Sequence, residues 1–129
     1  MGARGNIQIT QKRNSETPIF LYTHYAGEQI NEILALGLQR ACEAGRIKDP
    51  SYATRIIFDT LTKDAYDLNT GFGISIGSPD DNNYDIPHLV WPKNFTSEPT
   101  VELNDYVYTW KEYVSKFSEL IQLSAVQAI

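Results

Sequence analysis

Apolar residues recur at two different periods along this chain, and the switch between them restricts it to folds that combine sheet with helix. Ile7 and Ile9 alternate with polar neighbours between Asn6 and Thr10, the spacing of a half-buried strand. Ile19-Phe20-Leu21-Tyr22-Thr23, entered from Pro18, is β-branched and aromatic and reads as the hairpin partner of the first strand. From Glu28 the period changes. Ile30, Ile33, Leu34, Gly37, Leu38 and Ala41 fall at the i, i+3, i+4, i+7 positions of an amphipathic helix that Gly45 is placed to end. Asp49-Pro50 opens a second helix, an N-cap carboxylate followed by a proline whose missing N–H costs nothing at the first helical position. That helix runs to about Lys63, with Tyr52, Ala53, Ile56, Ile57 and Leu61 as its buried stripe.

The second half returns to strands. Thr70 to Gly77 alternates large apolar with small residues, which predicts one packed face and one closely approached face marked by Gly73 and Ser75. Ser78 to Asp85 is a polar loop too long for a tight hairpin turn. Ile86 to Trp91 and Thr100 to Leu103 are further strands, the first confined by Pro87 and Pro92. Thr109-Trp110-Lys111-Glu112 is a capping box that opens a last helix through about Leu123, with residues 124–129 as a frayed tail. The expected fold class is α+β, an antiparallel sheet of about four to five strands packed against two to three helices in a single domain over 1–129.

With 129 residues, 42% of them hydrophobic, the chain is long enough to bury a core without a metal or disulfide staple. Its single cysteine, Cys42, is expected on or near the inward stripe of the first helix and fits a reducing cytoplasm, the host's if the protein is phage-encoded. The apolar runs are too short for a membrane span, and MGARGNIQIT lacks the apolar segment of a secretory signal. A formal charge of -5 argues against duplex nucleic acid as the partner.

Four blocks stand out together: Gly2-Ala3-Arg4-Gly5-Asn6-Ile7, Leu21-Tyr22-Thr23-His24-Tyr25, Asp49-Pro50-Ser51-Tyr52 with Arg55-Ile56-Ile57-Phe58, and Thr70-Gly71-Phe72-Gly73-Ile74-Ser75. Their combination resembles a family of small, largely uncharacterised proteins found in phages and bacterial genomes, over residues 2 to about 77. In that pattern a Trp commonly follows the His, where this chain has Tyr25, and an Asn-Glu-His stretch follows the third strand, where it has Asp81-Asn82-Asn83-Tyr84. The resemblance implies a viral or prophage setting and carries no settled activity.

No nucleophile elbow, P-loop, dinucleotide fingerprint or zinc-protease motif is present, so no catalytic residue and no cofactor is expected. His24, His88, Asp80, Asp81 and Asp85 are the only metal candidates, and the acidic loop lacks the spacing of a calcium site, so no metal is expected either. The chemistry-bearing residues instead converge at strand ends. Arg4 and Asn6 begin the first strand, while Thr23, His24 and Tyr25 end the second; in an antiparallel hairpin these lie side by side. Arg55 joins them if the second helix packs over that edge, and Gly71 and Gly73 let a ligand approach the backbone. Guanidinium, imidazole, hydroxyl and aromatic groups in one cleft suit a phosphate-bearing ligand with a base to stack. Each residue also has a plain reading: a solvated Arg4, an Arg55–Asp59 pair at i+4, a His24 helix cap, and glycines that make room for a helix.

The leading expectation is therefore a non-enzymatic, phage-type binding protein that counters host defence by sequestering a small phosphate-bearing ligand such as a nucleotide signal. A homo-oligomer would complete its pocket. The alternative is an inhibitor or adaptor that binds a host protein through the aromatic, acidic second half, where Tyr84, Trp91, Phe95, Tyr106 and Tyr108 lie, unless Trp91 and Tyr108 merely close the core. A phosphodiesterase using His24 and His88 ranks last, because the chain has no His-x-Thr pair.

Overall fold

The computed structural model describes residues 2–63, 69–79 and 81–118. Strands β1 (Gly5–Gln11) and β2 (Ile19–Thr23) form the expected antiparallel hairpin, with Gly5 opposite Thr23 and Ile9 opposite Ile19. A 3-10 turn, Gly27–Gln29, leads into helix α1 (Ile30–Glu43), and α2 (Pro50–Leu61) follows. Asp49 caps α2 as its sequence predicts, accepting a hydrogen bond from the Tyr52 amide at 3.3 Å. Strands β3 (Phe72–Ile76), β4 (His88–Trp91), β5 (Thr100–Leu103) and β6 (Tyr106–Thr109) complete the sheet. A last helix, α3, is described over 110–118. Its capping box closes reciprocally, Thr109 N donating to Glu112 Oε1 at 2.8 Å and Glu112 N to Thr109 Oγ1 at 3.1 Å.

The fold is α+β, with two departures from expectation. The sheet has six strands in the order β3-β2-β1-β4-β5-β6, and it is mixed, because β1 and β4 run parallel. The extra strand is β6, reached from β5 through Asn104 and Asp105, both at positive φ (52° and 66°). That tight turn uses Asn-Asp where glycine is the usual signal, so the sequence there lacks the common hairpin mark.

Register assigns every strand residue to a face. Ile7, Ile9, Leu21, Leu89, Trp91, Val101 and Leu103 point to the helical layer and form the core with Leu34, Leu38, Ile57 and Tyr113. The helices pack closely enough that a Cβ at Gly37 of α1 would lie 2.9 Å from Ile57 of α2. Tyr52 departs from its predicted buried stripe. It is 53% exposed, its ring beneath the Arg46 guanidinium at 4.8 Å. Cys42 is likewise exposed, because the buried stripe of α1 passes through Leu38 and Ala41 instead.

The opposite face carries Asn6, Gln8 and Thr10 of β1, Phe20 and Tyr22 of β2, Gly73 and Ser75 of β3, and His88 and Val90 of β4. Because β3 is an edge strand and β4 lies beyond β1, the connection between them must cross β2 and β1 on this face. Its length thus has a topological cause. Arg13 ties the other end of the sheet together, its guanidinium donating to the carbonyls of Lys48 (2.5 Å), Ser97 (2.6 Å), Asn94 (3.0 Å) and Pro92 (3.1 Å). No described helix is long and apolar enough to cross a membrane.

Candidate functional site

The hairpin brings Arg4, Asn6, Tyr22 and His24 to one end of the helix-free face. Asn6 pairs with Tyr22, which pairs with Gly73, and Arg4 and His24 flank that row. The β3–β4 connection closes over them. Asn6 Nδ2 donates to Asp81 O and Asn82 Oδ1, both at 3.1 Å, while Arg4 and Asn83 exchange bonds through Arg4 N to Asn83 Oδ1 (3.1 Å) and Asn83 N to Arg4 O (2.9 Å). Arg4 Nη1 stands 3.7 Å from Asp81 Oδ2. Beneath this cover Arg4 Nε and Asn6 Oδ1 are buried without a hydrogen-bond partner among the described residues, and Asn6 is only 1% exposed; Ser75 Oγ, farther along the sheet opposite Phe20, is likewise unpartnered.

Gly5 and Gly27 owe their places to a close backbone approach. A Cβ at Gly5 would lie 2.7 Å from Gly27 Cα, and Gly27 N donates to Ala3 O at 2.7 Å. The turn after β2 is thereby pressed against the start of β1 and fixes His24 beside Arg4. His24 Nδ1 is 3.1 Å from the Tyr22 hydroxyl.

Other predicted members fall elsewhere. Thr23 is fully buried on the helical face, where its Oγ1 accepts from the amides of Tyr25 and Ala26 at 3.2 Å each; Thr23, not His24, caps the turn. Tyr25 is 56% exposed, edge-on to His24 (5.2 Å between centroids) and to Phe72 (5.9 Å). What approaches Gly71 is this Tyr25 ring, 2.4 Å from where a Cβ would stand. At Gly73 the space is open, so no close approach explains that glycine. Arg55 pairs with Asp59 one turn along α2 at 2.5 Å, both side chains about half exposed, and makes no described contact with the Arg4–His24 group.

A second group on the same face escaped sequence reading. Thr10, His88 and Glu102 align across β1, β4 and β5, with Thr10 Oγ1 2.8 Å from His88 Nε2 and His88 Nδ1 4.0 Å from Glu102 Oε1. Burial lowers the His88 pKa, with a smaller push from Lys12, against an opposing pull from Glu102. The row has the order of a hydroxyl–imidazole–carboxylate triad without its geometry. Thr10 is 4% exposed, and 4.0 Å is too long for the hydrogen bond that would orient the ring. Only the β1–β4 pairing makes these residues neighbours, and it joins positions 78 apart.

The exposed aromatics do not form one surface. Trp91 is fully buried and donates through Nε1 to Ile47 O at 2.9 Å, so it closes the core. Phe95 stacks on Arg13, Tyr106 lies against Tyr108 at the far sheet edge, and Tyr84 is in the connection near Arg4. A cavity of about 340 Å³ opens beside Arg13, Lys48 and the start of α2, but the Arg13 donors are taken by carbonyls and Asp49 already caps the helix.

Among the described residues no group of three or more His, Cys, Asp or Glu side chains is placed to hold a metal ion. Comparison with protein-family models, with curated proteins and with solved structures returned no match.

Proposed function

We propose that the protein is a non-enzymatic binding protein that sequesters a small phosphate-bearing ligand at the Arg4–Asn6–His24 end of the helix-free face, a nucleotide signal being the kind of ligand that fits. The observation that supports this reading is the pair of buried, unpartnered polar atoms, Arg4 Nε and Asn6 Oδ1, beneath a polar connection. Each such atom costs about 1–3 kcal/mol unless something hydrogen-bonds to it, and arrangements of this kind persist at binding sites. The guanidinium supplies the phosphate-pairing group, His24 and Tyr22 supply neighbouring donors, and the exposed Tyr25 ring supplies a stacking face for a base. Asp81 holds Arg4 in the manner a ligand phosphate would. In the phage setting that the sequence blocks resemble, sequestration would deprive the host of a defence signal.

The test is native mass spectrometry and calorimetric titration of the purified protein with inorganic phosphate, pyrophosphate and a panel of linear and cyclic nucleotides. Retention of one of them unchanged in mass, with an Arg4→Ala loss of at least about tenfold in affinity, supports the reading. Absence of binding to the whole panel, or binding that ignores Arg4→Ala, overturns it. Release of a cleaved ligand would make the protein an enzyme instead.

A further inference from the structure

Among the described residues the core packing reaches Phe72 at the start of β3 but not the isoleucines that follow. Ile74 and Ile76 point to the helical side, as their partners Leu21 and Ile19 do, yet they are 56% and 75% exposed while Leu21 is fully buried. Among the described residues β3 is also an edge strand, with one side of its backbone unpaired. Gly71 O accepts from His24 N at 2.8 Å and Gly77 N donates to Pro18 O at 2.9 Å, so the odd-numbered residues turn their N–H and C=O toward β2. Alternation along an antiparallel ladder then turns those of Phe72, Ile74 and Ile76 outward. Two of these three, Ile74 and Ile76, also present exposed apolar side chains, while Phe72 packs against the core.

Edges of this kind are normally guarded by charge, proline or a bulge. Here Asn69 to Pro79 contains no charged residue, and its one proline lies beyond the strand. The opposite edge differs: β6 is preceded by Asp105, and Lys116 Nζ lies over the ring of Tyr108 at 5.4 Å. The β3 segment also matches itself when reversed about Ile74. Phe72 meets Ile76, Gly73 meets Ser75, Gly71 meets Gly77, Thr70 meets Ser78, and Ile74 meets Ile74. Such self-matching is what an isologous two-fold contact requires.

We infer that β3 is a dimerisation edge whose occupant is a second copy of this chain, paired antiparallel about a two-fold axis at Ile74 to form a continuous twelve-stranded sheet. Ile74 of each copy exchanges both backbone hydrogen bonds with its counterpart, and Phe72 does the same with Ile76 of the second copy. That places the exposed isoleucines against apolar neighbours and puts only Gly73 and Ser75 on the other face. The positive φ of Gly71 (96°) and Gly77 (87°) ends the strand at both sides and limits the pairing to five residues. An interface this short belongs at the small end of specific contacts, so the dimer is expected to dissociate on dilution.

Sedimentation equilibrium over a concentration series tests this on the full chain. The wild type is expected at twice the monomer mass in the upper range. Ile74→Lys is expected to stay monomeric, because it sets two like charges against each other at the axis, and so is Ile74→Pro, which removes an outward N–H that the monomer does not use. Both are expected to keep the wild-type circular dichroism spectrum. An equimolar mixture of Ile74→Lys and Ile74→Asp is expected to recover the dimer mass, since only in a two-fold pair does position 74 face itself. A wild type that remains monomeric to roughly 100 μM, or a folded Ile74→Lys protein that still dimerises, overturns the inference.

Discussion

Arg4 Nη1 lies 3.7 Å from Asp81 Oδ2, so the first basic residue of the chain is engaged by the connection that crosses the sheet 77 positions later. The Asp81 side chain is 73% exposed, and Asp81 reaches Asn6 through its backbone oxygen, a bond that survives loss of the carboxylate. Asp81→Asn therefore removes a competitor for the guanidinium and leaves the connection in place. Exposed ion pairs are worth about 0–1 kcal/mol, so stability is expected to change little and affinity for a phosphate-bearing ligand to rise up to about fivefold. Calorimetric titration of Asp81→Asn beside the wild type checks this, and an unchanged affinity would remove Arg4 as the anion contact.

The His88 environment gives stability a pH dependence of definite sign. Burial, with a smaller contribution from Lys12, holds the folded pKa below the ordinary 6.5, so the unfolded chain takes up the proton first as pH falls. The stabilising contribution of neutral His88 is complete above about pH 6.5 and is lost as pH falls toward the depressed folded value. One proton limits the slope to about 1.4 kcal/mol per pH unit. Urea unfolding of wild type and His88→Gln between neutral and mildly acidic pH should show the slope in the wild type and a flatter profile in the variant. Equal slopes would mean that His88 is not held neutral.

Local elements were legible in the sequence because local rules make them. The Asp49-Pro50 start of α2, the Thr109–Glu112 capping box and the β1–β2 hairpin each follow from residues within a few positions of one another. What depends on the order of strands was not legible. The parallel β1–β4 contact joins Gln8 to His88, and without it neither the route of the β3–β4 connection nor the Thr10–His88–Glu102 row can be inferred. Of the predicted site, Arg4, Asn6 and His24 fell together because register alone places them. Thr23, one position from His24, faces the other side, as the two-residue period of a strand requires. Arg55 took the i+4 partner that a helix always offers.

Arg13 acts as a clamp between two loops. Its guanidinium meets carbonyls of the α1–α2 loop and the β4–β5 loop, and no carboxylate is within its described contacts. Because its fork satisfies several oxygens at once, a lysine ammonium cannot replace it. Arg13→Ala is expected to destabilise the protein by about 2–4 kcal/mol, and Arg13→Lys to recover less than half of that loss, both read from the midpoint of chemical denaturation. By contrast Arg55→Ala, which breaks an exposed i+4 pair, is expected to cost about 0.5 kcal/mol or less.

Gly71 is constrained in two separable ways, and a double-mutant cycle can apportion them. Its φ of +96° disfavours any side chain, at a cost of order 1–3 kcal/mol, and a Cβ there would stand 2.4 Å from Tyr25 Cε2. The first cost belongs to the backbone and persists whatever lies nearby. The second belongs to the pair, and vanishes if the ring is removed. Tyr25 is more than half exposed, so Tyr25→Ala alone is expected to cost only about 1 kcal/mol. Gly71→Ala is expected to cost about 2–4 kcal/mol in the wild-type background and at least about 1 kcal/mol less when Tyr25 is already alanine. Additive costs would show that the ring swings aside freely. Tyr25 would then be held over Gly71 only loosely, and it would lose its claim to be a fixed stacking face for a base.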